Sequence, residues 1–253
     1  MKTLVLYVFS ELNERVNTFI KDAIFLDSSI DFLVINTGSS TEPVLPDYVI
    51  YFKCANIGFN FGGWSRGLLY NNIYKEYDTF IFVNSQAIGP FLPSYFKGKW
   101  TDIYLNELSD TLKLAGSSIN TNDIHGINDP EGSSYVQSYI FAMNLETLVF
   151  LISKNIFSIT SYSTTSLDII NKERNMSRLI IKNGWNIGCL MKYYKGVDFR
   201  FLTDKPSEYK PFLGDPLTIK NFSDKLFNNF YELVFINANC FNFNLNQIDI
   251  SKI

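Results

Sequence analysis

The amino-acid sequence predicts one α/β domain with a mostly parallel central sheet flanked by helices. Three observations support this prediction. The chain has 253 residues, which suits a single large α/β domain. Apolar runs of strand length alternate with segments of helical periodicity, the pattern of a parallel sheet covered by helices. Hydrophobic residues make up 46% and charged residues 19%, a composition typical of a folded chain rather than a disordered one.

The first half of the chain carries the clearest alternation. A buried-strand pattern covers residues 3–10, and Ser10 is the expected N-cap of a helix whose apolar residues recur through Ile24. Three further apolar runs predict strands over 30–36, 48–55 and 78–83, and a helix is expected between the last two. Since parallel strands end at the same edge of a sheet, the loops after Phe9, Asn36, Ala55 and Val83 should converge.

The second half of the chain is less regular. Helices are predicted over 100–112, 145–156 and 167–182, and strands over 113–119, 135–143 and 232–236. The polar stretch 120–134 holds glycines and a proline and is expected to be a long active-site loop. Irregular structure is expected over 198–224, and a peripheral tail over 241–253.

Charge and composition exclude several classes of protein. Lysine and arginine number 22 against 25 acidic residues, and a net charge of -3 does not suit nucleic-acid binding. No run of 18 apolar residues exists, so we expect no transmembrane segment and a cytoplasmic location. The three cysteines form no C-x-x-C pair and His125 is the single histidine, so any metal would need oxygen ligands.

A glycine-rich segment, residues 56–64, lies where the third predicted strand gives way to a helix. Glycine lets backbone N–H groups approach a phosphate, a helix N-terminus favours negative charge, and asparagine side chains can hold sugar hydroxyls. Arg66 is expected near the start of that helix, where it could pair with a diphosphate. The alternative is a tight turn packed by glycines. The candidate residues of this segment for binding a diphosphate and a sugar are Asn56, Gly58, Asn60, Gly62, Gly63 and Arg66.

The sequence Asn84-Ser85-Gln86 ends the fourth predicted strand. Enzymes that use nucleotide diphosphates often hold an Asp-x-Asp pair at this position, because Mg²⁺ and Mn²⁺ prefer anionic oxygen and bridge the two phosphates. Asn84 and Gln86 are therefore the candidate ligands for Mn²⁺ or Mg²⁺, through amide oxygens. Either metal binding is weak here or protein cations neutralise the diphosphate. The structural alternative is that the amides cap the turn after the strand.

Several segments, in this order, resemble the glycosyltransferases with the nucleotide-sugar-binding GT-A fold. That family includes enzymes of polysaccharide gene clusters and of large DNA viruses. The segments that carry the resemblance are 56–64, 77–85, 89–93, Trp100, 113–120 and 136–138, with weaker similarity over 173–188 and 231–239. The chain departs from the family pattern at Asn60, where an aspartate is usual, and it lacks the histidine that relatives carry just before Tyr231.

The resemblance implies one glycosyltransferase-like domain over 1–253, with a donor-binding half of about 1–120 and an acceptor-side half of about 121–253. It implies transfer of a sugar from a nucleotide-diphosphate donor to a glycan or glycoconjugate acceptor. The loops after the first two strands would hold base and ribose, and segment 56–66 would face the diphosphate-sugar. The implied donor-pocket residues outside that segment are Phe9, Ser10, Glu11, Asn36, Asn84 and Ser85.

The acceptor side needs a carboxylate if the reaction inverts the sugar, because a base must take the proton of the acceptor hydroxyl. Glu173 resembles the acidic acceptor-side residue of related folds and is the first candidate. The alternative is a surface charge paired with Lys172 or Arg174. Competing acids in the polar loop are Asp129 and Asp123, beside His125. Gln137 and Ser138 are candidates for contact with the acceptor sugar, or else half-buried hydrogen-bonding groups.

Two other functions stay open at the level of sequence. The first is a catalytically inactive module that binds a glycan or a nucleotide and has lost its acids, which the neutral Asn84-Ser85-Gln86 favours. The second is a nucleotidyltransferase, which would require a strongly acidic two-metal site.

Overall fold

A seven-stranded sheet forms the centre of the protein in the computed structural model, which describes residues 1–121, 134–160, 165–204, 217 and 230–240. Its strands are β1 Thr3–Phe9, β2 Ile30–Asn36, β3 Ile50–Lys53, β4 Thr79–Asn84, β6 Leu112–Gly116, β9 Ile140–Asn144 and β10 Asn186–Cys189. They lie in the order β10-β6-β9-β4-β1-β2-β3. Only β9 among them runs antiparallel to its neighbours, β4 and β6.

Two small antiparallel ribbons accompany the central sheet. In one, β5 Ala87–Ile88 pairs with β11 Ile236–Asn237. In the other, β7 Ile119–Thr121 pairs with β8 Ser134–Val136. The first ribbon therefore holds a late segment of the chain against the loop that follows β4.

In the described part of the chain, five helices flank the sheet: α1 Glu14–Ala23, α2 Phe59–Leu69, α3 Trp100–Leu105, α4 Leu145–Ser153 and α5 Ser166–Lys182. Shorter helical turns cover Tyr70–Glu76, Lys192–Tyr194, Phe199–Asp204, Phe230–Leu233 and Ala238–Cys240. Within the described ranges, every helix is too short or too polar to cross a bilayer.

The core lies on both faces of the sheet, and β1 shows why. All seven of its residues are buried, as the continuous apolar run predicts for a strand covered on two sides. On one face, the ring of Tyr7 stacks on Phe19 of α1 with centroids 3.9 Å apart. On the other face, α2 packs so closely against the sheet that a Cβ at Gly63 would lie only 2.6 Å from Val8 Cγ2. The predicted α/β fold class with a mostly parallel sheet is confirmed.

Several predicted boundaries in the first half are wrong. Asn13, not Ser10, is the N-cap of α1, and its Oδ1 accepts a hydrogen bond from Val16 N at 3.3 Å. The third apolar run forms β3, an edge strand that is only partly buried because β2 alone lies beside it. Helix α3 ends at Leu105 rather than at residue 112, and a turn around Ser109 leads into β6.

The second half differs more from prediction. The run 135–143 is split into β8 and β9 by residues 137–139. Residues 232–233 are helical, and the late strand begins only at Ile236. Strand β10 was not predicted. Residues 122–133 of the predicted loop, most of 205–224 and the tail 241–253 lie outside the described residues.

Candidate functional site

The carboxyl ends of β1, β2, β3, β4, β6 and β10 share one edge of the sheet with the start of β9. We call this the carboxyl edge. The predicted convergence of the four loops is confirmed, because backbone hydrogen bonds join them. These bonds run from Thr37 N to Phe9 O (2.8 Å), Cys54 N to Asn36 O (2.9 Å), Ser85 N to Val8 O (3.0 Å) and Asn84 N to Tyr139 O (3.1 Å).

The four residues predicted to hold base and ribose differ in their exposure and in their contacts. Phe9 is buried and belongs to the core, whereas Ser10 and Glu11 are exposed. Asn36 is buried and orders the loop that follows it: its Oδ1 accepts from Gly38 N (3.1 Å) and Ser39 N (2.9 Å), and its Nδ2 donates to Tyr51 Oη (3.0 Å). Ser10 and Glu11 are thus the members of this set that can meet a ligand.

The glycine-rich segment divides into a turn, a packing surface and exposed amides. Gly58 is the N-cap residue of α2, and no side chain caps the helix there. Its φ of 81° lies in the left-handed region, which glycine tolerates best. Gly62 and Gly63 are buried, and Gly63 brings α2 against β1 and Thr37. Asn56 is exposed and Asn60 half-buried. Glycine packing, the alternative considered for this segment, therefore accounts for Gly63.

Arg66 lies in the last turn of α2, so the expectation that it sits near the helix start is wrong. Its guanidinium folds back over the preceding loop, where Nη1 donates to Ala55 O at 2.6 Å and to Ile57 O at 3.3 Å. Those two bonds fix the path of the chain between β3 and α2. Burial raises the pKa of the neighbouring Cys54 thiol, and Arg66 partly offsets this effect.

The strand-end sequence 84–86 forms a closed turn. Asn84 is 1% exposed, its Oδ1 accepts from Gln86 N at 2.9 Å, and its Nδ2 donates to Ser138 O at 3.3 Å. Ser85 and Gln86 are half-buried. The amide of Asn84 therefore caps the turn, which is the structural alternative considered for it.

Asn84 and Gln86, the two predicted metal ligands, form a poor ligand set for a divalent cation. Asn84 and Gln86 are neutral, and Asn84 is engaged on both sides of its amide. Across the part of the chain that the structure describes, no three or more Asp, Glu, His or Cys side chains form a group that could hold a metal. Mg²⁺ and Mn²⁺ are bound most often through carboxylate and phosphate oxygens.

The acceptor-side candidates Glu173, Ser138 and Gln137 come together beside Asn84. Glu173, half-buried on α5, accepts a short hydrogen bond from Ser138 N. The carbonyl of Ser138 receives the amide of Asn84, so a continuous chain of hydrogen bonds joins β4 to α5. Gln137 is buried, and its Oε1 accepts from Ser118 Oγ at 2.5 Å. Asp129, Asp123 and His125 lie outside the described residues.

A second group of polar residues lies at this edge and was not predicted from the sequence. Ser117 follows β6, and its Oγ donates to Leu233 O at 2.8 Å and contacts Tyr104 Oη at 2.6 Å. Complete burial raises the pKa of Tyr104 well above its ordinary value. Ser118 contacts Tyr139 Oη at 3.0 Å. Both serines fell inside the strand predicted over 113–119, whereas β6 ends at Gly116. Two adjacent polar residues in that run were the available signal, since polar residues at strand ends meet at one edge.

No protein-family model and no curated protein matches this chain. The candidate site is therefore defined by the geometry of the carboxyl edge. That edge brings together exposed polar loops after β1 and β3, a closed turn after β4, and a carboxylate on α5.

Proposed function

We propose that the protein is a glycosyltransferase of the GT-A type, which transfers a sugar from a nucleotide-diphosphate donor to a glycan or glycoconjugate acceptor. One observation carries the proposal: the hydrogen-bonded chain from Asn84 through Ser138 to Glu173 places a carboxylate at the carboxyl edge. In open α/β sheets, ligands bind outside the carboxyl ends of the strands. A mostly parallel sheet interrupted by one antiparallel strand is compatible with the GT-A fold.

In this proposal the donor lies over the ends of β1, β2 and β4. The loop after β1 offers Ser10 and Glu11, both exposed, to the base and ribose. The loop after β2 touches the same place, because a Cβ on Gly38 would lie 2.9 Å from Ser10 O. Asn56, in the loop after β3, is exposed, and Asn60, in the first turn of α2, is half-buried. Because the loops after β1 and β2 lie in contact, one ligand could bind to both of them.

Glu173 serves as the general base of an inverting transfer. As the acceptor hydroxyl attacks the anomeric carbon, its proton passes to the carboxylate. The bond between that carbon and the diphosphate oxygen breaks, and the nucleoside diphosphate leaves with the electron pair. The Ser138 N–H holds one carboxylate oxygen and so fixes the direction of the group. General-base catalysis of this kind contributes roughly 10²- to 10⁴-fold in rate.

The test replaces Glu173 by Gln, which keeps the shape of the side chain and removes the base. With UDP-, GDP- and dTDP-sugars and a mixture of glycan acceptors, we expect nucleoside diphosphate release by Glu173→Gln to fall by about 10²-fold or more. Donor affinity, measured by calorimetry, should not change. The matched control is Glu76→Gln, an exposed site before β4 at the opposite edge. Equal turnover in the two variants would refute the assignment of Glu173.

A second candidate function is a binding module of the same fold without turnover. The neutral, internally bonded Asn84 favours it, since a metal-dependent transferase would use that position for a carboxylate. The same assay separates the two functions. Saturable donor binding with no product from the unmodified protein would support the module, whereas product formation would support the transferase.

A further inference from the structure

We infer that the donor site at the carboxyl edge binds its nucleotide diphosphate without a divalent cation, and that Asn84 acts there as a structural clamp instead of a metal ligand. This inference rests on the proposed function and extends it to the way in which the diphosphate is held. Asn84 is the last residue of β4 and lies at the centre of the carboxyl edge.

Both polar atoms of the Asn84 side-chain amide form hydrogen bonds within the protein. The oxygen accepts from Gln86 N at 2.9 Å, and the nitrogen donates to Ser138 O at 3.3 Å. With 1% of the residue exposed, a cation could reach the oxygen only if the turn after β4 opened. An open turn would leave the half-buried Gln86 N–H without this acceptor, which is unfavourable.

The clamp adds side-chain hydrogen bonds between segments that backbone hydrogen bonds also hold together. It binds the loop after β4 through Gln86 N and the segment before β9 through Ser138 O. The carbonyl of Gln86 in turn accepts from Ala238 N at 2.8 Å, which ties in the late segment around β11. A carboxylate at position 84 could accept from Gln86 N but could not donate to Ser138 O. The choice of an amide therefore follows from the clamp.

The charge of the site supports the same conclusion. A cation bridging two phosphates is held by anionic side chains, and this position supplies an amide, a hydroxyl and a second amide. In the described part of the chain, Glu173 accepts a hydrogen bond from Ser138 N, and no three or more Asp, Glu, His or Cys side chains form a group that could hold a metal. In the described part of the edge, the exposed Asn56 and the half-buried Asn60 are neutral side-chain amides that could donate to a diphosphate.

Calorimetry with UDP, GDP and dTDP tests the inference on the full chain, in EDTA and in excess Mn²⁺. We expect the same dissociation constant in both buffers for whichever nucleotide binds. The double variant Asn84→Asp/Gln86→Asp should acquire a dependence on Mn²⁺, and Asn72→Asp, exposed at the opposite edge, should not. Binding of Mn²⁺ to each protein alone, followed by electron paramagnetic resonance, gives a readout that does not depend on nucleotide.

Affinity of the unmodified protein that rises about tenfold with Mn²⁺, equivalent to about 1.4 kcal/mol, would overturn the inference while leaving the proposed function intact. Failure of every nucleotide to bind in either buffer would overturn the proposed function and this inference together. If the double variant does not fold, the comparison of buffers with the unmodified protein still decides the question.

Discussion

Gly63 sets the distance between α2 and the sheet. A Cβ at this position would lie 2.6 Å from Val8 Cγ2 and 2.8 Å from Thr37 Cγ2. Val8 belongs to β1, and Thr37 directly follows β2 at the carboxyl edge. Real Cβ atoms do not approach carbon atoms so closely, so the helix would have to move away. The glycine is required here by close packing and not by its backbone angles.

Gly63→Ala should therefore destabilise the protein by about 1–3 kcal/mol, the usual cost of forcing an extra carbon into a well-packed core. Urea unfolding followed by circular dichroism measures the loss. Asn175→Ala, at an exposed position of α5, is the control and should change stability by no more than about 0.5 kcal/mol. Equal stability of the two variants would show that α2 does not depend on the small size of Gly63.

At this scale the sequence predicts where a residue lies but not what its side chain binds. The positions of Asn36, Asn84 and Ser138 at strand ends follow from the apolar runs beside them. The partners of their polar atoms do not, because they belong to segments distant in sequence: the amide of Asn84 meets Ser138, 54 positions later. Arg66 was placed near the helix start wrongly because α2 already begins at Phe59, and the contact of its side chain with Ala55 could not be read from the sequence either.

Between elements, an ion pair joins the turn before β2 to the start of α3. Lys99 Nζ lies 2.5 Å from Asp27 Oδ2. The hydrogen bond from Lys99, followed by those from Ser29, lowers the pKa of Asp27 from 3.8 to about 2. A lowered pKa means that the folded state prefers the ionised carboxyl. The pair therefore adds to stability above pH 3.8, and this contribution is lost as the pH falls through about 2.

Asp27→Asn should accordingly reduce the free energy of unfolding at neutral pH. The difference from the unmodified protein should shrink from pH 3.8 downward and vanish below about pH 2, where the native carboxyl is itself protonated. Urea unfolding at a series of pH values checks this, with the exposed Asp110→Asn as control. A difference that stays constant over the whole range would contradict an ionic origin.

Elements with strong local signals were predicted best. Helix α5 begins at a capping box formed by Thr165 and Asp168, and its amphipathic pattern predicted its extent to within one residue. The break between β8 and β9 has no such signal, because the run 135–143 is apolar almost throughout. It is produced by the contacts of Ser138 with Asn84 and Glu173, which are tertiary. Tertiary contacts also make residues 232–233 helical, where β-propensity alone favoured a strand.

Over the whole molecule, the donor and acceptor halves inferred from the sequence share one sheet. Strand β9 comes from the acceptor half and lies between β4 and β6 of the donor half. Strand β6 has two neighbours in the central sheet, β9 and β10, and both come from residues after 120. The division at about residue 120 therefore separates sequence segments and not independent layers of structure.

A fragment of residues 1–120 should fail to fold, because β6 loses both partners and β4 loses one, with the apolar faces between them exposed to water. Expression of the fragment beside the full chain, with circular dichroism and urea titration, tests the prediction. A cooperative unfolding transition of the fragment would show that the first half is a domain in its own right.

The location of the donor site is the central claim, and amide chemical shifts measured during titration with UDP, GDP and dTDP test it most directly. We predict that one of these nucleotides shifts resonances at the carboxyl edge, including Ser10, Gly38, Ser85 and Ser138, while Lys2 and Asp78 at the opposite edge stay unchanged. Shifts confined to that opposite edge, or no response to any nucleotide from the folded protein, would contradict the claim.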